Sequence, residues 1–283
     1  MRPMRCHRGV TLIEMVIVIA ITAIIATGVA VFISRPFEGY IDAARRAELS
    51  DIADTALRRM TRDLRSALPN SIRFTCVPAG CAAGSVYYLE YLQTSGGGRY
   101  RAEPDSGGLG NILDFTTTDA SFDVVGPMPA FLGGESIVIY NLASSGAVAN
   151  AYAGDAPGTN LGTYSTSAGS TITLLTAKQF PYPAPGKRFH VVQYPVTYEC
   201  NPGTGELRRY WNYPIAAAQA PLPPPTTPPA LTALLATAIT SCSFTYVTSG
   251  ANARSGVIGL ALRVERSGEA VQLFQQVHVD NAP

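Results

Sequence analysis

Few residues in this chain could carry catalytic chemistry. Histidine, the usual acid–base group and metal ligand, occurs three times in 283 residues, and His190 and His278 both fall in apolar segments typical of strands. The sequence contains no G-x-S-x-G pattern, no H-E-x-x-H pattern and no zinc-spaced set of His and Cys. We therefore expect a protein that is not an enzyme and that needs no metal or cofactor.

Two further groups of residues could bind ions or phosphates. Asp114, Asp119 and Asp123 could supply carboxylate oxygens to calcium, but their spacing matches no calcium-binding loop. The glycine-rich run Ser95–Arg99 does not connect a strand to a helix, as a phosphate-binding loop must. We expect the aspartates to be structural and the glycine-rich run to be a loop.

The most informative chemistry lies at the N-terminus. The first nine residues carry three arginines and no acid, and Met15–Ile33 is then an uncharged run of 19 residues. As a helix this run spans about 28 Å, close to the ~30 Å hydrocarbon core of a bilayer. Glu14 lies at its edge, where a carboxylate is costly and is therefore a candidate functional residue.

Two simpler interpretations compete. A secretory signal has an apolar stretch of about 7–15 residues followed by a small-residue cleavage site. Ala26–Gly28 could be such a site, but the apolar run is longer than that. A generic signal anchor explains the length of the run and leaves Glu14 unexplained.

The segment Arg8–Glu14, RGVTLIE, resembles the class III signal of type IV pilins and type II secretion pseudopilins. The resemblance implies that a prepilin peptidase cleaves between Gly9 and Val10 on the cytoplasmic side and that the new N-terminus of Val10 is methylated. Val10 stands where Phe or Met is usual in the family. The remaining motif positions are Thr11, Leu12 and Ile13.

Glu14 lies four residues after Val10, so on a helix its carboxylate and the new terminal amine are neighbours. A charge in the membrane is tolerated mainly when it is paired. The resemblance implies that Glu14 pairs with the terminal amine of an adjacent subunit during assembly. The alternative is a glutamate that extends to the lipid headgroups.

Five cysteines are present, and cleavage of the leader would remove Cys6. The other four allow three connectivities. We favour Cys76–Cys81, which flank a short turn-rich segment, and Cys200–Cys242, which adjoin predicted strands; a four-thiolate zinc site is the rival, although such sites normally have two close pairs. Disulfides imply an oxidising compartment outside the cytoplasm.

A helical pattern resumes beyond the membrane segment and is expected to end at Pro69, with a kink or looser junction at Pro36 and Gly39. One face is apolar, at Leu49, Ile52, Ala53, Ala56, Leu57, Met60, Leu64 and Leu68. The opposite face is expected to be solvated and carries Asp51, Asp54, Arg58, Arg59, Arg62 and Asp63.

Short β-rich runs joined by turns follow Pro69 and predict an antiparallel sheet. The predicted strands are Val86–Leu92, Ile112–Thr116, Phe122–Val125, Ser136–Tyr140, Thr171–Thr176, Phe189–Val192, Val196–Cys200, Glu206–Tyr210, Cys242–Tyr246, Val257–Val264 and Val271–Val279. Ser144–Ser170 and the proline-rich Pro214–Pro229 are expected to be excursions between strands of one sheet.

The expected fold class is therefore α+β and pilin-like, with a long N-terminal helix packed on an antiparallel sheet. The expected division is a cleaved leader at 1–9, a transmembrane and filament-core helix at 10–34, an amphipathic helix at 35–68 and an extracytoplasmic β-rich domain at 69–283.

Composition excludes other classes of protein. Charged residues are 14% and apolar residues 47% of the chain, a balance opposite to that of disordered proteins. The net charge of +1 lacks the basic excess of a nucleic-acid binder.

The orientation of the chain in the membrane is less clearly indicated, since the leader arginines Arg2, Arg5 and Arg8 are balanced by Arg35, Arg45 and Arg46 after the span. The predicted disulfides favour a cytoplasmic leader.

Other stretches resemble minor pilins of the mannose-sensitive haemagglutinin (MSHA) pili, and the general plan resembles J-type minor pseudopilins. These stretches are Tyr40–Ala43, Leu64–Ser71, Val196–Cys200, Cys242–Tyr246 and Gln276–Pro283. The resemblance implies a minor pilin or pseudopilin in the bacterial inner membrane, with a single span and a periplasmic C-terminal domain, that later enters a pilus or pseudopilus. Its partners would be a prepilin peptidase/N-methyltransferase and other pilin subunits. The alternative is an extracytoplasmic binding or adhesin module on a generic anchor.

Overall fold

A computed structural model describes residues 9–82, 84–146, 148–219, 230–248 and 254–282, without the side chains of residues 31, 34–36 and 38. The cationic leader up to Arg8 and most of the proline-rich segment lie outside these residues. The chain divides into two compact units, one up to Glu48 and one from Leu49 to Pro283.

A single α-helix, α1, runs from Leu12 to Leu64. Its part Leu12–Ala30 has a mean hydropathy of 2.5, and no share of it is buried against the rest of the chain. The helix continues through Pro36 and Gly39, so the kink or looser junction expected there does not end it. An interior proline removes one hydrogen bond, at a cost of ~3 kcal/mol, and the turns on both sides keep theirs.

Helix α1 ends four residues before the predicted boundary at Leu68. The chain after it pairs with a strand instead of continuing the helix: the Leu68 N–H donates to the Leu92 carbonyl at 2.8 Å, and the Thr94 N–H donates to the Ser66 carbonyl at 3.0 Å. These bonds satisfy backbone groups that the next helical turn would have used. The apolar residue Leu68 is buried, as its place in the predicted stripe required.

Twelve strands are present in the described residues. They are β1 (Arg73–Val77), β2 (Val86–Tyr100), β3 (Asp119–Val125), β4 (Ser136–Ile139), β5 (Leu161–Ala168), β6 (Thr171–Lys178), β7 (Arg188–Asn201), β8 (Glu206–Trp211), β9 (Leu231–Ala236), β10 (Ile239–Thr248), β11 (Ser255–Arg266) and β12 (Glu269–Asp280).

The strands form two antiparallel sheets, where the sequence predicted one. Nine strands have the order β1-β2-β3-β6-β5-β4-β7-β8-β9, and β10-β11-β12 make a separate three-stranded sheet. The proline-rich segment connects β8 to its neighbour β9, so it is an excursion within one sheet, as predicted. The other predicted excursion contains β5, which pairs with β4 and β6.

The nine-stranded sheet closes on itself. Strand β2 pairs with β7 along most of its length, and its last two residues, Arg99 and Tyr100, also pair with β3. Strands β2, β3, β6, β5, β4 and β7 therefore form a closed ring. The two long strands β2 and β7 belong both to the ring and to the open part of the sheet.

Two main cores follow from this arrangement. The helix-side core packs α1 residues from Leu49 to Leu64 against the open part of the nine-stranded sheet and against β10–β12. The ring core is built around Tyr100, Phe122, Phe180 and Phe189. The amphipathic half of α1 thus packs on antiparallel sheet, as the apolar stripe predicted, within the α+β fold.

The glycine-rich run Ser95–Arg99 lies in strand β2 and is not the predicted loop. A Cβ atom at Gly97 would lie 2.6 Å from the backbone carbonyl oxygen of Phe189, and one at Gly98 would lie 2.9 Å from the Phe189 ring. Glycine therefore permits the close approach of β2 and β7 where the ring closes. The glycine run in the sequence therefore indicates a close contact between two strands and not a turn.

Ile112–Thr116 is not a strand, contrary to the sequence prediction. The Asp114 carboxylate accepts hydrogen bonds from the backbone N–H of Thr116 at 2.7 Å and from the Thr116 and Thr117 hydroxyls. Such local side-chain bonds offer the backbone an alternative to a sheet ladder. They fold this segment into a turn before β3.

Candidate processing and assembly site

The N-terminal segment is shaped by the first turn of α1. Gly9, Val10 and Thr11 precede the helix, and the Thr11 hydroxyl accepts a hydrogen bond from the Glu14 N–H at 3.3 Å. The Thr11 carbonyl accepts further bonds from the N–H groups of Glu14 and Met15. Thr11 therefore caps the helix. This role of Thr11 was not predicted from the sequence, although Thr-x-x-Glu is a known signal for a helix start.

Glu14 occupies the first turn of α1, where the N–H groups and the helix dipole favour a negative charge. Its side chain is exposed. The backbone thus presents a carboxylate one turn after the Gly9–Val10 peptide bond, with Val10 two-thirds exposed. This arrangement leaves both the peptide bond and the carboxylate accessible to another molecule.

Gly9 is not required by the fold itself. A Cβ atom added at Gly9 meets nothing within 4 Å. A need for glycine at this position would therefore come from an enzyme that binds the segment.

Apolar side chains of α1 are exposed all around the span that follows. Leu12, Phe32 and Ile24 are among the most exposed, at 84%, 81% and 72%. A helix that is apolar on every side needs lipid or other protein chains around it. The length and composition of Leu12–Ala30 fit a membrane span.

The four predicted disulfide cysteines form the two favoured pairs. Cys76 and Cys81 have Cα atoms 5.2 Å apart, and Cys200 and Cys242 have Cα atoms 6.5 Å apart, both within the range of disulfides. The second bond joins β7 of the nine-stranded sheet to β10 of the three-stranded sheet. The rival four-thiolate zinc site does not fit these pairs.

One residue of the predicted solvated face of α1 is buried. The Asp63 Oδ2 atom accepts hydrogen bonds from the Tyr198 hydroxyl at 2.7 Å and from Arg209 Nε at 2.9 Å, and Arg59 Nε lies 3.1 Å from Oδ1. Burial raises the pKa of the neighbouring Tyr91 and Tyr198 hydroxyls. The cluster is a structural link between the helix and the sheet. In the sequence, the burial of Asp63 is indicated by its position next to Leu64, a residue of the apolar stripe.

The residues considered for catalysis or ion binding are dispersed. His190 lies half-buried in β7, where desolvation lowers its pKa, and its Nε2 atom has no hydrogen-bond partner in the described part of the chain. His278 is exposed on β12. Asp123 accepts hydrogen bonds from Thr171 and Asn111, which lower its pKa. No group of three metal-binding side chains occurs among the residues that the structure describes.

Residues 4–30 match the family described as the prokaryotic N-terminal methylation motif. No curated protein and no solved structure matches the chain. The particular likeness to MSHA minor pilins therefore has no support beyond its short stretches. The match, the capped helix start and the apolar span indicate a membrane-anchored protein whose N-terminal segment is a type IV pilin-like substrate of a prepilin peptidase.

Proposed function

We propose that this chain is a minor pilin or pseudopilin of a type IV pilus or a type II secretion system. A prepilin peptidase/N-methyltransferase cleaves it after Gly9 and methylates Val10. The helix then leaves the inner membrane and packs among other pilin subunits, with the globular unit on the periplasmic side. In this proposal the chain is a substrate and a building block, and not an enzyme.

The match of residues 4–30 to the methylation motif carries the proposal. The uncovered apolar span and the exposed Glu14 carboxylate add support, because both need partners outside the chain. In a filament core, burial of apolar helix surface would drive packing, and pairing of Glu14 with a neighbour's terminal amine would set the register. The assignment to a minor subunit rests on the short MSHA-like stretches and on the likeness of the general plan to J-type minor pseudopilins.

The N-terminus of the protein purified from its native membrane tests the proposal. Mass spectrometry should find a chain that begins at N-methylated Val10. Gly9→Ala should abolish cleavage and leave the full leader attached, without a change of fold, because a Cβ atom at this position meets nothing. Glu14→Gln should be cleaved normally and should fail to enter filaments.

Gly28→Ala is the matched control, since Gly28 also has open space around it and lies in the same apolar run. It should be processed like the wild type. A mature chain that begins near Val29 would instead identify a secretory signal. An uncleaved chain would favour the alternative of a binding module on a generic anchor. Either result contradicts the proposal.

A further inference from the structure

Strand β12 forms an open edge of the three-stranded sheet. In the described residues no strand pairs with the side of β12 that faces away from β11. Strand β12 has 12 residues, whereas β1 and β9, the edges of the nine-stranded sheet, have five and six. At about 3.4 Å per residue, the open edge of β12 is about 40 Å long. It is the longest edge strand in the part of the chain that the structure describes.

The ladder between β11 and β12 shows which backbone groups face this edge. Just beyond the two strands, the Asn281 N–H donates to the Arg254 carbonyl at 2.9 Å, and the register is continuous along β12. Hydrogen-bonded and non-hydrogen-bonded pairs alternate in an antiparallel ladder. Odd-numbered residues of β12 therefore bond to β11, and even-numbered residues point their N–H and C=O groups to the open edge. These are Ala270, Gln272, Phe274, Gln276, His278 and Asp280.

The sequence of β12 does not protect this edge. Proteins commonly block an edge strand with proline, with lysine, with an inward-pointing charge or with a bulge. Strand β12, EAVQLFQQVHVD, contains no proline, lysine or arginine. Its two acids, Glu269 and Asp280, are its first and last residues, and His278 is the one titratable side chain between them. The middle of the edge is therefore open to the approach of another strand.

The side chains of β12 are incompletely covered on both faces of the sheet. Leu262 and Val264 of β11 are fully buried, whereas Leu273 and Val271, which lie opposite them in β12, are only half-buried against the helix-side core. On the outer face, Phe274 at the middle of β12 is 62% exposed. A further strand beside β12 would cover both.

We propose that the open edge of β12 binds an extended segment of another protein, which becomes the fourth strand of this sheet. The row of N–H and C=O groups specifies an extended backbone as the occupant, because such a backbone offers acceptors and donors at the matching spacing. The half-buried Val271 and Leu273 specify apolar residues at every second position of that segment. A length of about five to ten residues is typical of a strand.

A second copy of β12 is a poorer occupant than a segment with continuous apolar alternation. The core-facing side of β12 carries the polar residue Gln275 between Leu273 and Val277. Pairing of two β12 strands would therefore place an amide within the apolar row. The proposal goes beyond the proposed function and does not depend on cleavage after Gly9, since it concerns the globular unit alone.

Residue-resolved hydrogen exchange of the full-length chain in detergent tests the open edge. The N–H groups of Gln272, Phe274 and Gln276 should exchange at least about tenfold faster than those of Leu273 and Gln275, because only the latter have acceptors on β11. Equal protection of all five would overturn the proposal. Protection of the edge groups that increases with protein concentration would also overturn it, because the occupant would then be a second copy.

A synthetic peptide with the sequence of β11, Ser255–Arg266, is the probe for the occupant. It was chosen because its alternate residues Ile258, Leu260, Leu262 and Val264 are apolar. Added to the full-length chain, it should slow exchange of the three edge N–H groups. The control peptide carries Leu260→Asp and Leu262→Asp and should bind about tenfold more weakly or less. Equal binding of the two peptides, or no protection by the first at about 1 mM, contradicts the proposal.

Variants of the edge locate the binding. Gln276→Pro removes an N–H group that faces the open edge, and its ring obstructs the incoming strand, while the ladder to β11 is kept. It should weaken binding of the labelled β11 peptide by about tenfold, measured by fluorescence anisotropy against empty micelles. Gln276→Thr keeps the N–H group and is the matched control, which should bind like the wild type.

Phe274→Lys gives a second measurement that does not require a proline in the strand. A lysine on the open edge should also weaken peptide binding, by about fivefold or more. Fluorescence of the single tryptophan shows whether each variant is folded. Wild-type affinity in a folded Gln276→Pro or Phe274→Lys chain would place the peptide elsewhere and overturn the proposal. Loss of affinity in Gln276→Thr as well would do the same.

Discussion

Asp63 has surroundings unlike those of the other charged residues on α1. It is 8% exposed, and its carboxylate lies between Tyr198, Arg209 and Arg59. Arg209 is equally buried and also lies over the Trp211 ring. Removal of one partner from a buried ion pair leaves the other charge uncompensated, which costs far more than the loss of a surface pair.

We expect Asp63→Ala to destabilise the globular unit by about 3–5 kcal/mol. Asp54→Ala on the same helix breaks the exposed ion pair with Arg58 and should cost less than about 1 kcal/mol. Denaturant unfolding of the full chain in detergent, followed by fluorescence of its single tryptophan, measures both. Similar losses for the two variants would mean that the buried cluster is not a stabilising link.

Among the secondary-structure elements, those with strong periodicity could be predicted from the sequence. The apolar stripe from Leu49 to Leu64 repeats at three and four residues, and the structure buries it. Strands β1, β5 and β9 were missed: β1 has only five residues, Leu161–Ala168 is rich in small polar residues, and Leu231–Ala236 does not alternate. Their neighbours in the sheet, and not their own sequences, hold them extended.

For the candidate sites too, only features that depend on a short segment could be predicted from the sequence. A local motif identified Gly9, Val10 and Glu14 as candidates, because the chemistry of cleavage needs only a short segment. The burial of Asp63 depends on Arg209, which lies 146 residues away in the chain. The closure of the ring depends on pairing between β2 and β7. Contacts between distant segments leave no local pattern.

The glycines of strand β2 give a prediction for the ring. Gly97→Ala forces a Cβ atom against the Phe189 carbonyl oxygen and should cost about 1–3 kcal/mol. Gly96→Ala, whose Cβ would make an ordinary 3.5 Å contact with Pro129, is the control and should be close to neutral. Hydrogen exchange should show faster exchange of β2 and β7 amides in the Gly97 variant alone. Unchanged exchange would indicate that the two strands can separate without cost.

The whole globular unit is tied together by covalent as well as apolar contacts. The Cys200–Cys242 bond links the two sheets across 42 residues of sequence, whereas Cys76–Cys81 spans only 5. In the chain-entropy account, a disulfide stabilises by restricting the unfolded chain, and the restriction grows with the length of the closed loop.

Replacement of Cys200 and Cys242 by alanine should therefore cost about 4 kcal/mol, and replacement of Cys76 and Cys81 about 2 kcal/mol. Midpoints of denaturant unfolding for the two double variants give the comparison. An equal loss for both would show that loop length does not govern their contribution.

The chain enters the closed ring of six strands along β2 and leaves it along β7. These two strands pair with each other at that point, where Thr94 of β2 lies opposite Val192 of β7. The helix-side core includes no residue between positions 95 and 191. The residues between them contact the rest of the unit through these two strands and through a few side chains, such as Tyr152, whose hydroxyl donates to the Ser71 carbonyl. Substitutions at exposed positions between residues 95 and 191 should therefore change the outer surface of the unit without repacking the apolar core beneath α1.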